Sequence, residues 1–294
     1  MRRFAALIAV ILALAFAAAP AGAGCFLRLA VTDLEGYEQV QREFGPFVKV
    51  LAAHTGCSFD FLAVRSRTEA VGELNRRQVD LVLTGPAEYV VFHQLTKARP
   101  LVGFSRPDYF AGIMVMAESG LTDARSLKGK KVAFGDVGST STHLAPMQIL
   151  ADNGLDPLQD IQSVHFSRHH DQQMLEALIK GEVAAIGFGY SKLLKLRDRA
   201  PGIPHGAFRF LARGPDLPHD ILLVGAHVPP ATVALVRQTL IDHEPELVKA
   251  ILQGRDNQKY RGMKFITSVQ DADYNYIRQM YATIGFPSFS RFFD

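Results

Sequence analysis

The chain has 294 residues, of which 48% are hydrophobic, and 32 Lys and Arg residues face 29 Asp and Glu residues for a formal net charge of +3. This composition is that of a folded globular protein and excludes a disordered chain. The positive charge is small and scattered, which excludes a nucleic-acid-binding protein. The length suits two lobes or one large domain.

The amino-terminal residues have the layout of a secretory signal. Arg2 and Arg3 precede an uncharged apolar run at 4–19, and small residues follow at 21–23. This is the order of the n-region, the h-region and the A-x-A cleavage site, and the apolar run is short for ~30 Å of hydrocarbon. We therefore predict a signal peptide at 1–23 and a mature protein in the periplasm.

Two cysteines leave two interpretations open. Small residues directly before Cys25 partly fit a lipoprotein signal, which would place a lipid anchor on that residue. Alternatively, Cys25 and Cys57 each precede a predicted strand, and neighbouring strands would bring them together as a disulfide in an oxidising periplasm. We favour the disulfide, and we expect a monomer that is either free or lipid-tethered.

Strands and helices alternate over the first third of the mature chain. Apolar residues at helical spacing predict helices, Gly56 predicts a helix end and Pro86 a helix start. The predicted strands are 26–31, 58–64 and 79–84, and the predicted helices are 39–54, 68–77 and a segment that begins at Pro86. Extended apolar segments follow at 101–104 and 110–117.

The alternation restarts near residue 131 and ends in a helical tail. The predicted strands are 131–134, 161–166, 183–188, 208–212 and 221–224, and the predicted helices between them are 142–153, 172–180 and 191–197. The tail helices at 231–242, 245–253 and 273–284 have no strands of their own, so they need the first sheet to pack on.

This order predicts an α/β fold of two lobes, each a mostly parallel sheet flanked by helices. Lobe 1 takes 24–110 and 218–294, and lobe 2 is inserted at 111–217. Two segments would then cross between the lobes. Ligands of such molecules bind in the cleft between the lobes, at the carboxyl ends of strands.

One strand-to-helix junction carries three consecutive hydroxyl side chains. The strand at 131–134 runs through a turn of small residues into Ser139, Thr140 and Ser141 at a helix start. Free N–H groups and the positive end of the helix dipole favour an anion there. Since one hydroxyl is enough to cap a helix, three in a row favour anion binding over capping alone.

Two further junctions supply candidate ligand contacts. Tyr89 lies on the first turn of the helix that begins at Pro86, where it would either reach the cleft or cover the lobe as a half-buried aromatic residue. His170 precedes a helix, and an imidazole there would hydrogen-bond an oxyanion. His165 and His169 are nearby, but no further Cys or His stands at ligand spacing, so we predict neither a metal site nor a cofactor.

Three segments resemble the periplasmic phosphonate- and phosphite-binding family of ABC importers. They are 81–89, 134–144 with its Ser-Thr-Ser helix start, and 170–185. The resemblance implies the type II periplasmic-binding-protein fold. It also implies that the oxygens of a phosphonyl group are held in the cleft by Ser139, Thr140, Ser141, Tyr89 and His170.

Two departures from this family bear on the ligand. Where members often have a Tyr in the first helix, this chain has Phe44 or Phe47. Members that bind aminoalkylphosphonates use acidic residues near the third strand of the inserted lobe, whereas 184–190 here contains no acid. These departures favour phosphite, phosphate or a small alkylphosphonate over an amine-bearing ligand.

The sequence therefore predicts a solute-binding protein that captures a small phosphorus oxyanion for an ABC transporter permease in the inner membrane. The alternative partner is a membrane histidine kinase, to which the closed form would report an oxyanion such as arsenite or phosphate. We do not expect an enzyme, because the chain has no G-x-S-x-G elbow, P-loop or H-E-x-x-H motif.

Overall fold

The computed structural model describes residues 25–167, 171–193, 202–204 and 206–289. The predicted signal peptide at 1–23 and the candidate contact His170 lie outside the described residues. Across the described ranges, no helix is long and apolar enough to cross a membrane.

The first sheet lies in lobe 1. Its strands are β1 (Phe26–Val31), β2 (Ser58–Phe61), β3 (Leu81–Thr84), β4 (Arg99–Phe104), β10 (Asp220–Val224) and β11 (Phe265–Ile266). They are arranged in the order β11-β4-β10-β3-β1-β2. Strand β1 pairs in parallel with β2 and β3, whereas β10 runs antiparallel to β3 and β4, and β11 antiparallel to β4.

The second sheet lies in lobe 2. Its strands are β5 (Phe110–Met116), β6 (Lys131–Phe134), β7 (Gln162–His165), β8 (Ala185–Gly189) and β9 (Phe208–Asp216). Their order is β7-β6-β8-β5-β9. Strand β6 pairs in parallel with β7 and β8, and β5 runs antiparallel to β8 and β9.

Both sheets are mixed, which corrects the expectation of mostly parallel sheets. The parallel part of each sheet consists of strands joined by helices, as the alternation predicts. The antiparallel strands β5, β9 and β10 are those that lead into or out of the crossings between lobes, so the chain reverses direction there. The two crossing segments are tied together by a hydrogen bond, in which the Leu217 N–H donates to the Tyr109 carbonyl at 2.7 Å.

Helices cover both faces of the lobe 1 sheet. They are α1 (Tyr37–Thr55), α2 (Glu69–Asn75), α3 (Pro86–Leu95), α6 (Pro230–Asp242) and α7 (Glu244–Ile251). The apolar face of α1 is buried, including Val40, Phe44 and Leu51, and α1 packs against α6 and α7. The helix ends at Gly56, whose φ of 69° is the left-handed conformation that glycine adopts without strain.

Lobe 2 carries α4 (Ala145–Asp152) and α5 (Asp171–Ile179), and the last helix, α8 (Asn275–Thr283), lies between the lobes. Helix α8 packs against α3 of lobe 1 and also against α4 of lobe 2. Its Tyr281 hydroxyl donates to the Ala87 carbonyl at 3.0 Å, and its Thr283 hydroxyl donates to Gln148 Oε1 at 2.6 Å. One apolar core therefore continues from lobe 1 through α8 into lobe 2.

A disulfide joins Cys25 to Cys57. The parallel register of β1 and β2 places Phe26 opposite Ser58, so the residues before them lie side by side, with Cα atoms 4.7 Å apart. Closing a loop of this length stabilises the fold by about 3–4 kcal/mol through the entropy of the unfolded chain.

Candidate ligand-binding site

A polar cavity of about 390 Å³ lies between the two lobes. Lobe 1 contributes charged side chains, and lobe 2 contributes the helix start that the sequence singles out. The lining residues used below are Asp33, Arg67, Glu88, Arg106, Lys259, Ser139, Thr140 and Ser141.

The helix start of lobe 2 opens onto this cavity. After β6 the chain turns at Gly138, whose φ is 86°, and becomes helical at Thr140. The first turn is π-helical and continues directly into α4. Since the first N–H groups of a helix have no acceptor within the helix, those of Thr140 and Ser141 are placed to bind an anion.

The three hydroxyl groups are used differently. The Ser139 hydroxyl accepts a hydrogen bond from the Thr142 hydroxyl at 2.8 Å, so its own proton is still available for donation. The Thr140 oxygen accepts from the Ala87 N–H of lobe 1 at 3.1 Å and is also hydrogen-bonded to Tyr109. In the described part of the chain, the Ser141 hydroxyl has no partner, although the residue is only 6% exposed. Ser141 is therefore the hydroxyl donor that is most open to a ligand.

Gly189, at the end of β8, has no side chain and so leaves room for Ser141. A Cβ atom at Gly189 would lie 2.7 Å from the Ser141 oxygen and 3.0 Å from its Cβ atom. Both approaches are closer than ordinary van der Waals contact. Any side chain at Gly189 would therefore displace Ser141 from the wall of the cavity.

Three cations of lobe 1 line the cavity. Arg67 makes ion pairs with Asp33 at 2.9 Å, with Glu88 at 2.6 Å and, across the cavity, with Asp136 of lobe 2 at 3.0 Å. Lys259 pairs with Asp33 at 2.7 Å. These contacts form one network that crosses from lobe 1 to lobe 2.

Arg106 extends the cation cluster toward the crossing segments. Its guanidinium lies 3.4 Å from the centroid of the Tyr109 ring and 3.1 Å from Asp220. Asp220 also accepts from the Tyr260 hydroxyl at 2.6 Å and lies 3.3 Å from Lys259. Arg67, Lys259 and Arg106 therefore stand at one cavity, each held by carboxylates.

The carboxylates Asp33 and Glu88 differ in their titration. Burial pushes the pKa of Asp33 upward, but the charges of Lys259 and Arg67 outweigh burial and hold the pKa well below its usual value. For Glu88, burial outweighs the charge of Arg67, and the Asp33 charge adds to it, so the pKa of Glu88 is raised. Asp33 is thus the permanent counter-charge, and Glu88 is the more readily protonated of the two.

The structure does not bring Tyr89 to the cavity. Its hydroxyl donates to Asp271 at 2.9 Å, and its ring centroid lies 4.2 Å from that of Tyr274. Successive residues of a helix point about 100° apart, so on α3 it is Glu88 that faces the cavity while Tyr89 faces the carboxyl-terminal segment. The half-buried alternative also understates the burial, because Tyr89 is 1% exposed.

Other residues that the sequence singled out are split between wall and core. Phe44 lines the cavity, whereas Phe47 packs edge-on against Phe104 in the core of lobe 1. The acid-free segment after 184 forms β8 and ends at Gly189 against Ser141. The acids that do line the cavity come from other elements.

The charged side chains of lobe 1 that line the cavity were not predicted from the sequence, although the positions of some of them were predictable. Asp33, Arg67 and Glu88 each follow one of the parallel strands β1, β2 and β3. The carboxyl ends of parallel strands share one edge of a sheet, so these three side chains were predictable as neighbours. Arg106 and Lys259 come from distant segments and carry no comparable local signal.

Two mixed sheets flanked by helices, with a polar cavity between them, define the type II class of periplasmic binding proteins. A family model described as "ABC transporter, phosphonate, periplasmic substrate-binding protein" matches residues 29–274. The chain belongs to this family, whose members bind solutes for transport, as the resemblance of the sequence indicates.

Individual relatives agree with the family and the fold. The Phosphate-import protein PhnD of Mycolicibacterium smegmatis is 27% identical over 181 residues, which span 57% of this chain and 56% of that protein. XAC2383 from Xanthomonas citri bound to ATP has a TM-score of 0.72 at 16% identity, covering 89% of this chain and 97% of that one. PhnD1 from Prochlorococcus marinus in complex with methylphosphonate has a TM-score of 0.69 at 15% identity, covering 89% and 98%.

Proposed function

We propose that this protein captures a small phosphorus oxyanion, namely phosphite, phosphate or a small alkylphosphonate, and delivers it to the permease of an ABC transporter. The observation that carries the proposal is the position of the Thr140 helix start. It opens onto the same cavity as Arg67, Arg106 and Lys259. The relatives named for phosphate import and for a methylphosphonate complex support this class of ligand.

Lobe 2 supplies the directional contacts. The N–H groups of Thr140 and Ser141 and the hydroxyls of Ser139 and Ser141 are hydrogen-bond donors, and donors of this kind suit a tetrahedral oxyanion with several acceptor oxygens. Hydrogen bonds to a charged acceptor are about twice as strong as neutral ones. The cavity also has room for bridging water molecules around a small ligand.

Lobe 1 supplies the charge. Arg67, Arg106 and Lys259 are largely buried, with side chains 17%, 9% and 16% exposed, so solvent screens them weakly. The carboxylates Asp33 and Glu88 are already paired with these cations. We therefore retain the prediction that an amine-bearing phosphonate binds less well than phosphite, phosphate or methylphosphonate.

Isothermal titration and thermal unfolding of the mature protein test this proposal. The protein is first unfolded and refolded by dialysis to remove bound ligand, and is then titrated with phosphate, phosphite, methylphosphonate and 2-aminoethylphosphonate, with sulfate as a control of similar shape. A ligand at 100 times its dissociation constant adds about 2.7 kcal/mol of stability, which raises Tm by several degrees.

We expect one of the first three phosphorus oxyanions to bind with a one-to-one stoichiometry and to raise Tm. Tighter binding of sulfate would contradict the choice of phosphorus, and tighter binding of 2-aminoethylphosphonate would contradict the choice of a ligand without an amine. If none of the five compounds binds, the small-oxyanion assignment is wrong.

A further inference from the structure

Three potential metal ligands meet on the surface of lobe 1, outside the ligand cavity. His54 lies in the last turn of α1, His243 lies between α6 and α7, and Glu246 lies in the first turn of α7. His54 and Glu246 are exposed, and His243 is half-buried. The cluster therefore joins the end of the first helix to the start of a helix about 190 residues further along the chain.

The three side chains are already close together. His54 Nε2 lies 2.8 Å from Glu246 Oε2. The rings of His54 and His243 are stacked, with centroids 3.5 Å apart and planes inclined by 15°. One potential ligand atom from each of the three residues lies within 4.8 Å of the others.

A hydrogen bond between His54 and Glu246 accounts for the position of these two side chains but not for that of His243. Two neutral imidazoles and one carboxylate are, by contrast, a ligand set that suits Zn²⁺.

We propose that His54, His243 and Glu246 form a binding site for a divalent transition-metal ion of the Zn²⁺ type, which fastens α1 to α7. Tetrahedral bonds of about 2.0–2.1 Å require ligand atoms roughly 3.3 Å apart, so the cluster contracts by about 1.5 Å at most. The exposed side chains of His54 and Glu246 permit this movement through rotation about their side-chain bonds. Water completes the coordination at the exposed side.

The site is independent of the proposed solute binding. His54 lies ten residues beyond Phe44, the residue of α1 that lines the ligand cavity, which is ~15 Å along the helix. The metal is therefore a structural element of lobe 1 in this proposal, and a failure of one proposal leaves the other standing.

Calorimetric titration of the full mature chain, freed of any histidine tag and treated with a chelator, tests the site. The probes are Zn²⁺ and Cu²⁺, with Mg²⁺ and Ca²⁺ as hard cations that prefer oxygen ligands. We expect one equivalent of Zn²⁺ to bind, Cu²⁺ to bind more tightly, and the hard cations not to compete. Because ligation requires neutral imidazoles, binding is expected to be weaker at pH 5.5 than at pH 7.5.

Variants identify the ligands. His243→Ala and Glu246→Gln are each expected to weaken Zn²⁺ binding at least tenfold, with unchanged far-ultraviolet circular dichroism. His165→Ala removes an exposed histidine outside the cluster and is the matched control, expected to bind Zn²⁺ as the parent does. Absence of Zn²⁺ binding, or equal loss in the control, overturns the proposal.

Discussion

Lobe 1 lines the cavity mainly with ionised side chains, whereas lobe 2 lines it with hydroxyl groups, the first turn of a helix and one ion pair, that of Asp171 with Lys192. The cations of lobe 1 are already satisfied by carboxylates, so an arriving anion shares them with existing partners. The N–H groups at the start of the lobe 2 helix have no acceptor within the helix, and the Ser141 hydroxyl has no partner among the described residues. An anion therefore gains new hydrogen bonds from lobe 2. Lobe 1 supplies positive charge that its own carboxylates already partly neutralise.

The first way to distinguish the roles of the two lobes is to remove Arg67, the cation that pairs with carboxylates of both lobes. Arg67→Met is expected to lower the free energy of unfolding by about 3–5 kcal/mol, because it leaves buried carboxylates without their partner. Urea denaturation measures this change. Arg65→Met is the matched control, because the Arg65 side chain is 93% exposed and its pair with Glu69 contributes about 1 kcal/mol or less.

The outcome of this comparison tells whether the network is structural. A loss below about 1 kcal/mol in Arg67→Met would mean that the carboxylates protonate or rearrange freely. A loss of affinity for the oxyanion with little loss of stability would show that Arg67 serves the ligand more than the fold.

A second, smaller effect concerns the helix start of lobe 2, where burial and the nearby His165 lower the pKa of His143 to about 4. His143 accepts from the Gly138 N–H at 3.1 Å through Nδ1, so the turn before the helix start depends on the neutral ring. The unfolded chain takes up a proton near pH 6.5 and the folded chain does not, so stability falls as the pH falls from 6.5 toward 4. The contribution of His143 to this loss is about 3 kcal/mol.

Chemical denaturation at several pH values checks this prediction. His143→Gln keeps a side-chain acceptor for the turn and cannot take up the proton. It is expected to flatten the stability profile between pH 6.5 and 4 relative to the parent. Parallel profiles of the two proteins would contradict the prediction, since carboxylates titrating in the same range affect both equally.

The smallest expected effect isolates the ligand contact on lobe 2. Ser141→Ala removes the open hydroxyl donor, and we expect oxyanion binding to weaken by about 1–3 kcal/mol with stability changed by less than about 0.5 kcal/mol. Calorimetric titration with the oxyanion identified by the binding screen measures the first quantity, and urea denaturation the second. Ser163→Ala, at an exposed position of β7, is the control. Equal affinity of both variants would remove Ser141 from the site.

Local patterns predicted the elements well. The predicted strand at 131–134 coincides with β6, and the predicted helix at 39–54 lies within α1 (Tyr37–Thr55). Apolar periodicity determines such elements because each buries one face. The antiparallel pairing of β5 and β9 was missed, because strand direction depends on how the chain crosses between lobes and not on the local pattern.

The site residues also divide into those that a local pattern predicts and those that only the folded chain brings together. Ser139, Thr140 and Ser141 are consecutive, so their common position at the cavity is readable from the sequence. Lys259 reaches Asp33 across 226 positions, a contact that only the folded chain creates. The same limit hid the cluster of His54 and His243, since ligand spacing along the chain does not reveal residues so far apart.

Helix α8 has a consequence for how affinity is determined in this molecule. Its Tyr281 and Thr283 side chains make hydrogen bonds to lobe 1 and lobe 2, respectively, and do not line the cavity. Measured affinity equals intrinsic affinity multiplied by the fraction of molecules already in the binding-competent arrangement. Substitutions on α8 therefore change the fraction of molecules in the binding-competent arrangement. Two proteins with identical cavities can differ in affinity for the same solute because their last helices differ.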